Sequence, residues 1–160
     1  MTKEDLDELK KRYVEFQERY SLPTFDELNQ DFQIEKIAEI ETDFLLREVR
    51  KMIVEKLFNY LRFIESLLNP VNVPMFVYSI VKTLGVQEKE EITEMYKKLA
   101  KREVELIALD LDSTDEKEVE FIKDSLVLWE GIKKDILKIA GVIDKNWDSE
   151  TETNNKDYFG

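Results

Sequence analysis

Three glutamates in the segment EEITE are the residues whose type and spacing best suit chemistry. Glu90 and Glu94 are four residues apart, so a helix places both carboxylates on one face, with Glu91 beside them. Carboxylate oxygens are the ligands that Mg²⁺ prefers in proteins. The pattern therefore makes Glu90, Glu91 and Glu94 candidate ligands for a magnesium ion.

This spacing is similar to the one by which all-α nucleoside-triphosphate pyrophosphohydrolases hold magnesium, and it implies a carboxylate-only, magnesium-dependent nucleotide pyrophosphohydrolase-like enzyme as one hypothesis. Such enzymes also need a second acidic pair on a neighbouring helix. Here Asp112 and Asp115 fall in a predicted loop, and Glu120 and Asp124 have the wrong separation. The helix dipole also explains glutamates in a first turn, because it favours negative charge there. Enzymatic magnesium binding is therefore the alternative, and we predict no metal and no other cofactor.

Several other catalytic classes are excluded by residues that the sequence lacks. There is no His and no Cys, which rules out a Ser-His-Asp triad, a Cys nucleophile, imidazole or thiolate metal ligands, and disulfides. The four glycines are dispersed, so the Gly-rich loops that bind phosphates and dinucleotides are absent. We predict no catalytic residue, which favours a protein that is not an enzyme.

The charge of the chain argues against nucleic acid as a direct ligand. It contains 36 acidic and 24 basic residues, and the resulting net charge of −12 repels phosphate backbones at long range. A compact basic group is present at Arg47, Arg50 and Lys51, but Glu48 and Glu55 interleave and no aromatic residues accompany it for base stacking. Ion pairing along the helix is the favoured role of this group.

The sequence carries no sign of export or of membrane insertion. The N-terminal segment MTKEDLDELKK has no apolar run after basic residues, which argues against a signal peptide. No stretch approaches the roughly 18 uninterrupted apolar residues of a membrane span. We expect a soluble, cytoplasmic protein that does not bind a membrane.

The fold is predicted to form around one long helix from about residue 42 to residue 69. One apolar seam consists of Leu46, Val49, Ile53, Tyr60, Phe63 and Leu67, and a second of Val54, Leu57, Leu61, Ile64 and Leu68. The two seams are about 100° apart around the helix. A helix that is apolar over so wide an arc is stable only when it is covered from two sides. The sequence therefore predicts an all-α, compact bundle of five to six helices with this helix at its centre.

Capping residues and prolines divide the rest of the N-terminal part. Pro23 ends the first helix, and Thr24 with Glu27 forms a capping box that begins the next one. The segment from Asn69 to Pro74 is the clearest helix breaker, because its two prolines remove amide donors and bar their predecessors from helical geometry. A short helix from Pro74 to Leu84 is apolar nearly all round, which favours a helix buried in the core, with a partly exposed patch that receives a partner as the alternative.

The C-terminal part is predicted to be an antiparallel helical hairpin, about 88–111 and 114–140, with Gly141 as its end. One stripe of its first helix contains Ile92, Met95, Leu99 and Leu106, and the adjacent stripe contains Tyr96, Ala100, Val104, Ile107 and Leu111. Residues 1–143 are predicted to form a single helical-bundle domain. Residues 144–160 are predicted to be a flexible acidic tail, because they are polar and have no apolar periodicity.

The candidate interaction residues are aromatic and aliphatic side chains near the two ends of the chain. They are Leu6, Leu9, Tyr13, Phe16 and Tyr20 in the first helix, and Trp147, Tyr158 and Phe159 in the tail. The first set forms a narrow seam with steps of three and four, which favours a helix partner in the same domain over a coiled coil with another chain. The tail aromatics suit a docking peptide, but such residues also fold back onto their own domain.

These patterns favour a non-enzymatic helical protein-protein interaction or scaffold module. The chain has more apolar helical surface than one bundle obviously needs, so we predict a homodimer or a complex with a partner protein.

Overall fold

The computed structural model describes the backbone of residues 3–159 and the side chains of residues 5–148. The helices are α1 (Lys3–Tyr20), α2 (Phe25–Phe32), a 3₁₀ helix (Ile34–Glu39), α3 (Leu45–Leu68), α4 (Met75–Thr83), α5 (Val86–Leu111) and α6 (Asp115–Phe159). The described backbone contains no strand, so the predicted all-α fold class is confirmed. Among the described residues, no helix combines the length and the apolarity needed to cross a bilayer.

The corner between α1 and α2 is held by one buried tyrosine and a capping box. The Tyr13 hydroxyl donates to the carbonyl oxygen of Pro23 at 2.5 Å, and its ring meets that of Phe25 edge to face at a centroid distance of 5.8 Å. The Thr24 hydroxyl accepts from the Glu27 amide at 3.2 Å, and the Glu27 carboxylate accepts from the Thr24 amide at 3.3 Å. The predicted capping box is therefore present with both of its hydrogen bonds.

Helix α3 is the predicted central helix, and most of its two apolar seams are buried. The buried members are Leu46, Val49, Ile53, Val54, Leu57, Leu61, Ile64 and Leu67. The helix begins at Leu45, three residues later than the predicted start near residue 42. The Thr42 hydroxyl instead accepts from the Phe44 amide at 3.0 Å in the turn before the helix.

The chain divides into two compact units. Unit 1 comprises Met1–Phe58 and Arg102–Val127, and unit 2 comprises Asn59–Lys101 and Leu128–Gly160. The boundaries fall inside α3, α5 and α6, so each of these helices contributes a segment to each unit. A single domain over residues 1–143 stays a prediction.

Helices α5 and α6 pack together as the predicted hairpin. Within unit 1, Val54, Leu109 and Phe121 form a buried cluster on α3, α5 and α6, against which Phe58 and Leu106 pack. Within unit 2, the Lys138 ammonium on α6 donates to the Glu91 carboxylate on α5 at 2.8 Å.

Helix α6 continues far beyond its predicted end. Gly141 does not have the positive φ of a left-handed helix cap, and α6 passes through it to Phe159, so the predicted end of the helix at Gly141 is wrong. Contacts with α4 hold the segment that follows: the Asn146 amide donates to the Thr83 carbonyl at 2.7 Å, and the Trp147 and Phe76 rings are 6.1 Å apart. Flexibility of residues 144–160 stays a prediction.

Candidate functional site

The candidate magnesium ligands do not converge. Glu91 accepts from Lys138, and Glu94 accepts from Lys97 one turn further along α5 at 3.2 Å. Glu90 is exposed to solvent. Among the described residues, no group of three or more acidic side chains is arranged to hold a metal ion. The geometry therefore adds nothing to the magnesium hypothesis for Glu90, Glu91 and Glu94.

The apolar seam of α1 is largely used inside unit 1. Leu9 and Tyr13 are buried, while Leu6, Phe16 and Tyr20 are partly buried. The Phe16 and Tyr20 rings stack on each other at a centroid distance of 6.4 Å. Packing within the same unit thus occupies the centre of this seam, and a role in binding another chain stays a prediction.

Of the tail aromatics, only Trp147 falls among the described side chains. Its ring lies against Phe76 at an interplanar angle of 55°, so it folds back onto α4 of its own unit. The side chains of Tyr158 and Phe159 lie outside the described residues. Their assignment as docking residues stays a prediction.

A buried ion pair lies within unit 1. Arg50 on α3 and Glu118 in the first turn of α6 are only 3% and 2% exposed, and Nε and Nη2 of Arg50 donate to the two carboxylate oxygens of Glu118. Asp110 at the end of α5 lies 3.0 Å from Nη2, and the Ser113 hydroxyl donates to Glu118 at 2.9 Å. Both charges are therefore satisfied within the unit, which suits a role in holding three helices together.

The ion pair shifts the pKa of its basic member upward. Burial lowers the pKa of Arg50, but the hydrogen bond and negative charge of Glu118, with a smaller contribution from Asp110, more than offset burial. Arg50 is therefore a fixed positive charge at the working pH of any cell. Such a group can hold an anion in place, but this one already holds Glu118.

The sequence predicted a different partner for Arg50. Ion pairing along α3 is observed for Lys51, which donates to Glu48 at 3.3 Å, whereas Arg50 pairs with a residue 68 positions away. A signal was available, because Arg50 stands four residues before Val54 and so continues the second apolar seam of α3 towards its N-terminus. A cation within an apolar seam indicates a buried acidic partner.

A second buried arginine lies at the side of a surface groove in unit 1. The Arg102 guanidinium lies 4.0 Å above the centroid of the Phe121 ring, and its Nη2 donates to the Phe121 carbonyl at 3.0 Å and to the Ser125 hydroxyl at 3.1 Å. Its Nη1 donates to Glu105. The Nε atom of Arg102 is buried and has no hydrogen-bond partner among the described residues.

This groove has a volume of about 480 Å³ and runs between the α5 and α6 segments of unit 1. We call it the α5–α6 groove, and it is lined by Arg102, Glu105, Ala108, Leu109, Asp112, Lys117, Glu120, Phe121 and Asp124. The Lys117 ammonium donates to the Asp112 carboxylate at 2.5 Å, and this hydrogen bond, together with the positive charge, lowers the pKa of Asp112. Glu120 and Asp124 have no ion-pair partner among the side chains that the structure describes. The lining thus combines apolar surface with open carboxylates.

Beside the groove, α5 presents a complete apolar stripe to solvent. Val104, Ile107 and Leu111 are 66%, 61% and 84% exposed, and Ala108 between them is exposed as well. We call these four residues the α5 apolar stripe. Their spacing of i, i+3, i+4 and i+7 is the pattern by which an amphipathic helix normally packs against a core. The other side of the same segment already faces a core, because Leu109 is buried, so this segment of α5 has two apolar faces.

Sequence periodicity identified this stripe but not its exposure. Val104, Ile107 and Leu111 belong to the second predicted stripe of the hairpin. The first stripe is buried at Ile92 and Leu99. Periodicity shows which residues share a face, but it does not show which of two apolar faces remains uncovered.

The two units differ strongly in charge. Unit 1 contains 24 acidic and 13 basic residues, whereas unit 2 contains 12 and 11. Nearly all of the net charge of −12 therefore belongs to the unit that carries the α5 apolar stripe and the α5–α6 groove. A net charge of this size on unit 1 attracts positive charge and repels negative charge.

The described part of unit 1 thus combines paired charges with an exposed apolar face. Arg50 is paired with the buried Glu118 and Arg102 with the partly exposed Glu105, while the α5 apolar stripe and the carboxylates of Glu120 and Asp124 face solvent. Comparison with protein-family models finds no match, and comparisons with curated proteins and with solved structures find no significant similarity.

Proposed function

We propose that this protein is a non-enzymatic helical interaction module that binds another protein chain through the α5 apolar stripe. One observation carries the proposal: Val104, Ile107, Ala108 and Leu111 form a full two-turn apolar face that is left in solvent. Single exposed apolar residues are common on protein surfaces and need no explanation. A contiguous face with helical spacing is different, because it is typical of surfaces that bind a partner.

The energetics of exposure support the same proposal. Burial of apolar surface contributes about 25 cal/mol per Å² that is removed from water. A partner that covers Val104, Ile107 and Leu111 gains this contribution without disturbing the core cluster on the other side of α5. A face that is two helical turns long is small compared with permanent interfaces, so we expect reversible binding.

Site-specific photo-crosslinking tests the proposal in the native cell. A photoreactive phenylalanine analogue at Leu111 reports on the stripe, and the same analogue at Lys11, an exposed residue of α1, is the control. We expect a crosslinked product from position 111 that is absent from position 11 and that is lost when Ile107→Ser is added. The same products from both positions, or none from position 111, would overturn the proposal.

The mass of the product identifies the kind of partner. A product of twice the 19.1 kDa chain mass indicates a homodimer, and any other mass indicates a different protein, which mass spectrometry identifies. The circular dichroism of each variant, compared with that of the unmodified protein, verifies that the helices are retained.

A further inference from the structure

We infer that the segment bound by unit 1 is a basic amphipathic helix of another protein, with its apolar side on the α5 apolar stripe and Lys or Arg side chains at the α5–α6 groove. This inference rests on the proposed function and adds the chemistry of the partner. A single helix can contact both, because the α5 apolar stripe and the α5–α6 groove belong to one continuous surface.

Ala108 makes the two parts continuous. It is the third member of the exposed apolar stripe and also lines the α5–α6 groove. A helix laid along α5 would cover Val104 and Leu111 with one side while its neighbouring side faces the groove. Docking of an amphipathic helix onto an apolar helical face is a recurrent mode of recognition, with anchors at i, i+3, i+4 and i+7.

The charges of the groove select a cation. Glu105 is paired with Arg102, and Asp112 with Lys117, so these four groups neutralise one another. Glu120 and Asp124 remain, and they are four residues apart on α6, so both face the same way. Two neighbouring carboxylates next to an apolar surface complement an ammonium or guanidinium group at the edge of an interface.

The charge of unit 1 argues against a second copy of this chain as the occupant. Self-association through this surface would bring together two units that each contain 24 acidic and only 13 basic residues. Like charges that face each other across an interface oppose association, and they also slow the approach of the two molecules. A basic segment reverses both effects.

The experiment measures binding of three fluorescent synthetic peptides, each about five helical turns long, to the full chain by anisotropy. The first has Leu and Ala on one helical face and Lys on the other. The second replaces every Lys with Glu, and the third scrambles the first so that its apolar residues no longer share a face. We expect the first peptide to bind at least about tenfold more tightly than either of the others, and its affinity to fall as salt is added.

Three variants assign the binding to the surface. Ile107→Ser is expected to weaken the first peptide on the order of tenfold by removing an apolar anchor. The double variant Glu120→Gln/Asp124→Asn is expected to weaken it about fivefold. The matched control Glu15→Gln/Glu18→Gln removes the same charge from exposed positions of α1 in unit 1, and it is expected to change the affinity less than about twofold.

The failure of this inference differs from the failure of the proposed function. If the acidic peptide binds as tightly as the basic one and Ile107→Ser weakens both, the charge selection is wrong while the stripe remains a binding face. If the scrambled peptide binds as tightly as the first, or if Glu15→Gln/Glu18→Gln acts as strongly as the groove variant, the attraction is diffuse and the inference is overturned. Absence of saturable binding up to about 1 mM, or a crosslinked homodimer, also overturns it. Only the crosslinking at Leu111 decides the proposed function.

Discussion

Arg50 and Glu118, 68 residues apart in the sequence, form a two-point ion pair inside unit 1. Nε of Arg50 lies 2.9 Å from Oε2 of Glu118, and Nη2 lies 3.1 Å from Oε1. The pair joins α3 to the first turn of α6, and Asp110 at the end of α5 adds a third helix to the same arginine. Buried charges are tolerated only when they are paired in this way, so each partner depends on the other.

We predict that Glu118→Gln lowers the free energy of unfolding by about 3 kcal/mol, because it leaves the buried Arg50 charge without its main partner. Chemical denaturation followed by circular dichroism measures the change. Glu116→Gln is the matched control, since Glu116 lies in the same first turn of α6 but is exposed, and its effect should stay within about 0.5 kcal/mol. Equal effects of the two substitutions would contradict the structural role of the pair.

Replacing both Arg50 and Glu118 should be less harmful than the two single substitutions suggest. The double variant Arg50→Met/Glu118→Leu removes both charges and should cost less than the sum of the two single substitutions, because neither charge is left alone. If the changes in the free energy of unfolding caused by the two single substitutions add up to the change caused by the double variant, the two side chains act independently.

The raised pKa of Tyr13 predicts that the folded protein loses stability at high pH. Burial, with a smaller contribution from the negative charge of Glu27, raises the pKa of Tyr13 well above its ordinary value of 10.0. As the pH rises above the ordinary pKa of 10.0, the unfolded chain releases the phenolic proton of Tyr13, while the folded chain, whose pKa is higher, keeps it. This difference stabilises the unfolded state, so the free energy of unfolding should fall by up to about 1.4 kcal/mol per pH unit.

Tyr13→Phe isolates this contribution. The variant should lose about 1 kcal/mol at neutral pH, where the hydrogen bond to the Pro23 carbonyl is missing, and should then decline less steeply above pH 10 than the unmodified protein. Denaturation curves at several pH values measure both slopes. Parallel pH profiles for the two proteins would rule out the raised pKa of Tyr13.

The fold class followed from the sequence because local signals agreed with one another. The two seams of α3, the capping box at Thr24 and Glu27, and the short connection before Asp115 all act over a few residues. The capping box and the connection were found where they were predicted, and most members of the two seams are buried. At Gly141, by contrast, the local signal allowed two outcomes, and the predicted helix end was wrong. A glycine in a helical pattern either ends a helix or is tolerated within it, and contacts made by Asn146 and Trp147 with α4 favour the second outcome.

The candidate surface could be predicted only in part. The sequence showed that Val104, Ile107 and Leu111 share a face, but their exposure depends on which face of α5 the rest of unit 1 covers. The same limit applies to the α1 seam: its pattern favoured a partner within the same domain but left a contact with another chain open, and Tyr13 is buried against Pro23 and Phe25. Long-range packing decides between such alternatives, and a single sequence contains no direct record of it.

Gly141→Ala should stabilise the protein by about 0.5–1 kcal/mol, because alanine has the higher helix propensity and restricts the unfolded chain. A Cβ atom added at Gly141 meets nothing within 4 Å, and the same is true of Gly131, which serves as a matched position within α6. Thermal unfolding of both variants measures the gain. If the helix ended at Gly141 in a left-handed conformation, Gly141→Ala would instead destabilise the protein by about 1 kcal/mol while Gly131→Ala still stabilised it.

The contact between Trp147 and Phe76 should appear as a coupling energy. Their ring centroids are 6.1 Å apart, a distance at which aromatic pairs contribute about 0.5–1.5 kcal/mol beyond burial alone. A double-mutant cycle of Trp147→Ala with Phe76→Ala, measured by chemical denaturation, should give a coupling in this range. The control cycle pairs Trp147→Ala with Leu137→Ala, an exposed residue of α6 that is ten positions away, and should be additive within about 0.5 kcal/mol. Additivity in both cycles would mean that α4 does not hold the C-terminal part of α6 through this ring contact.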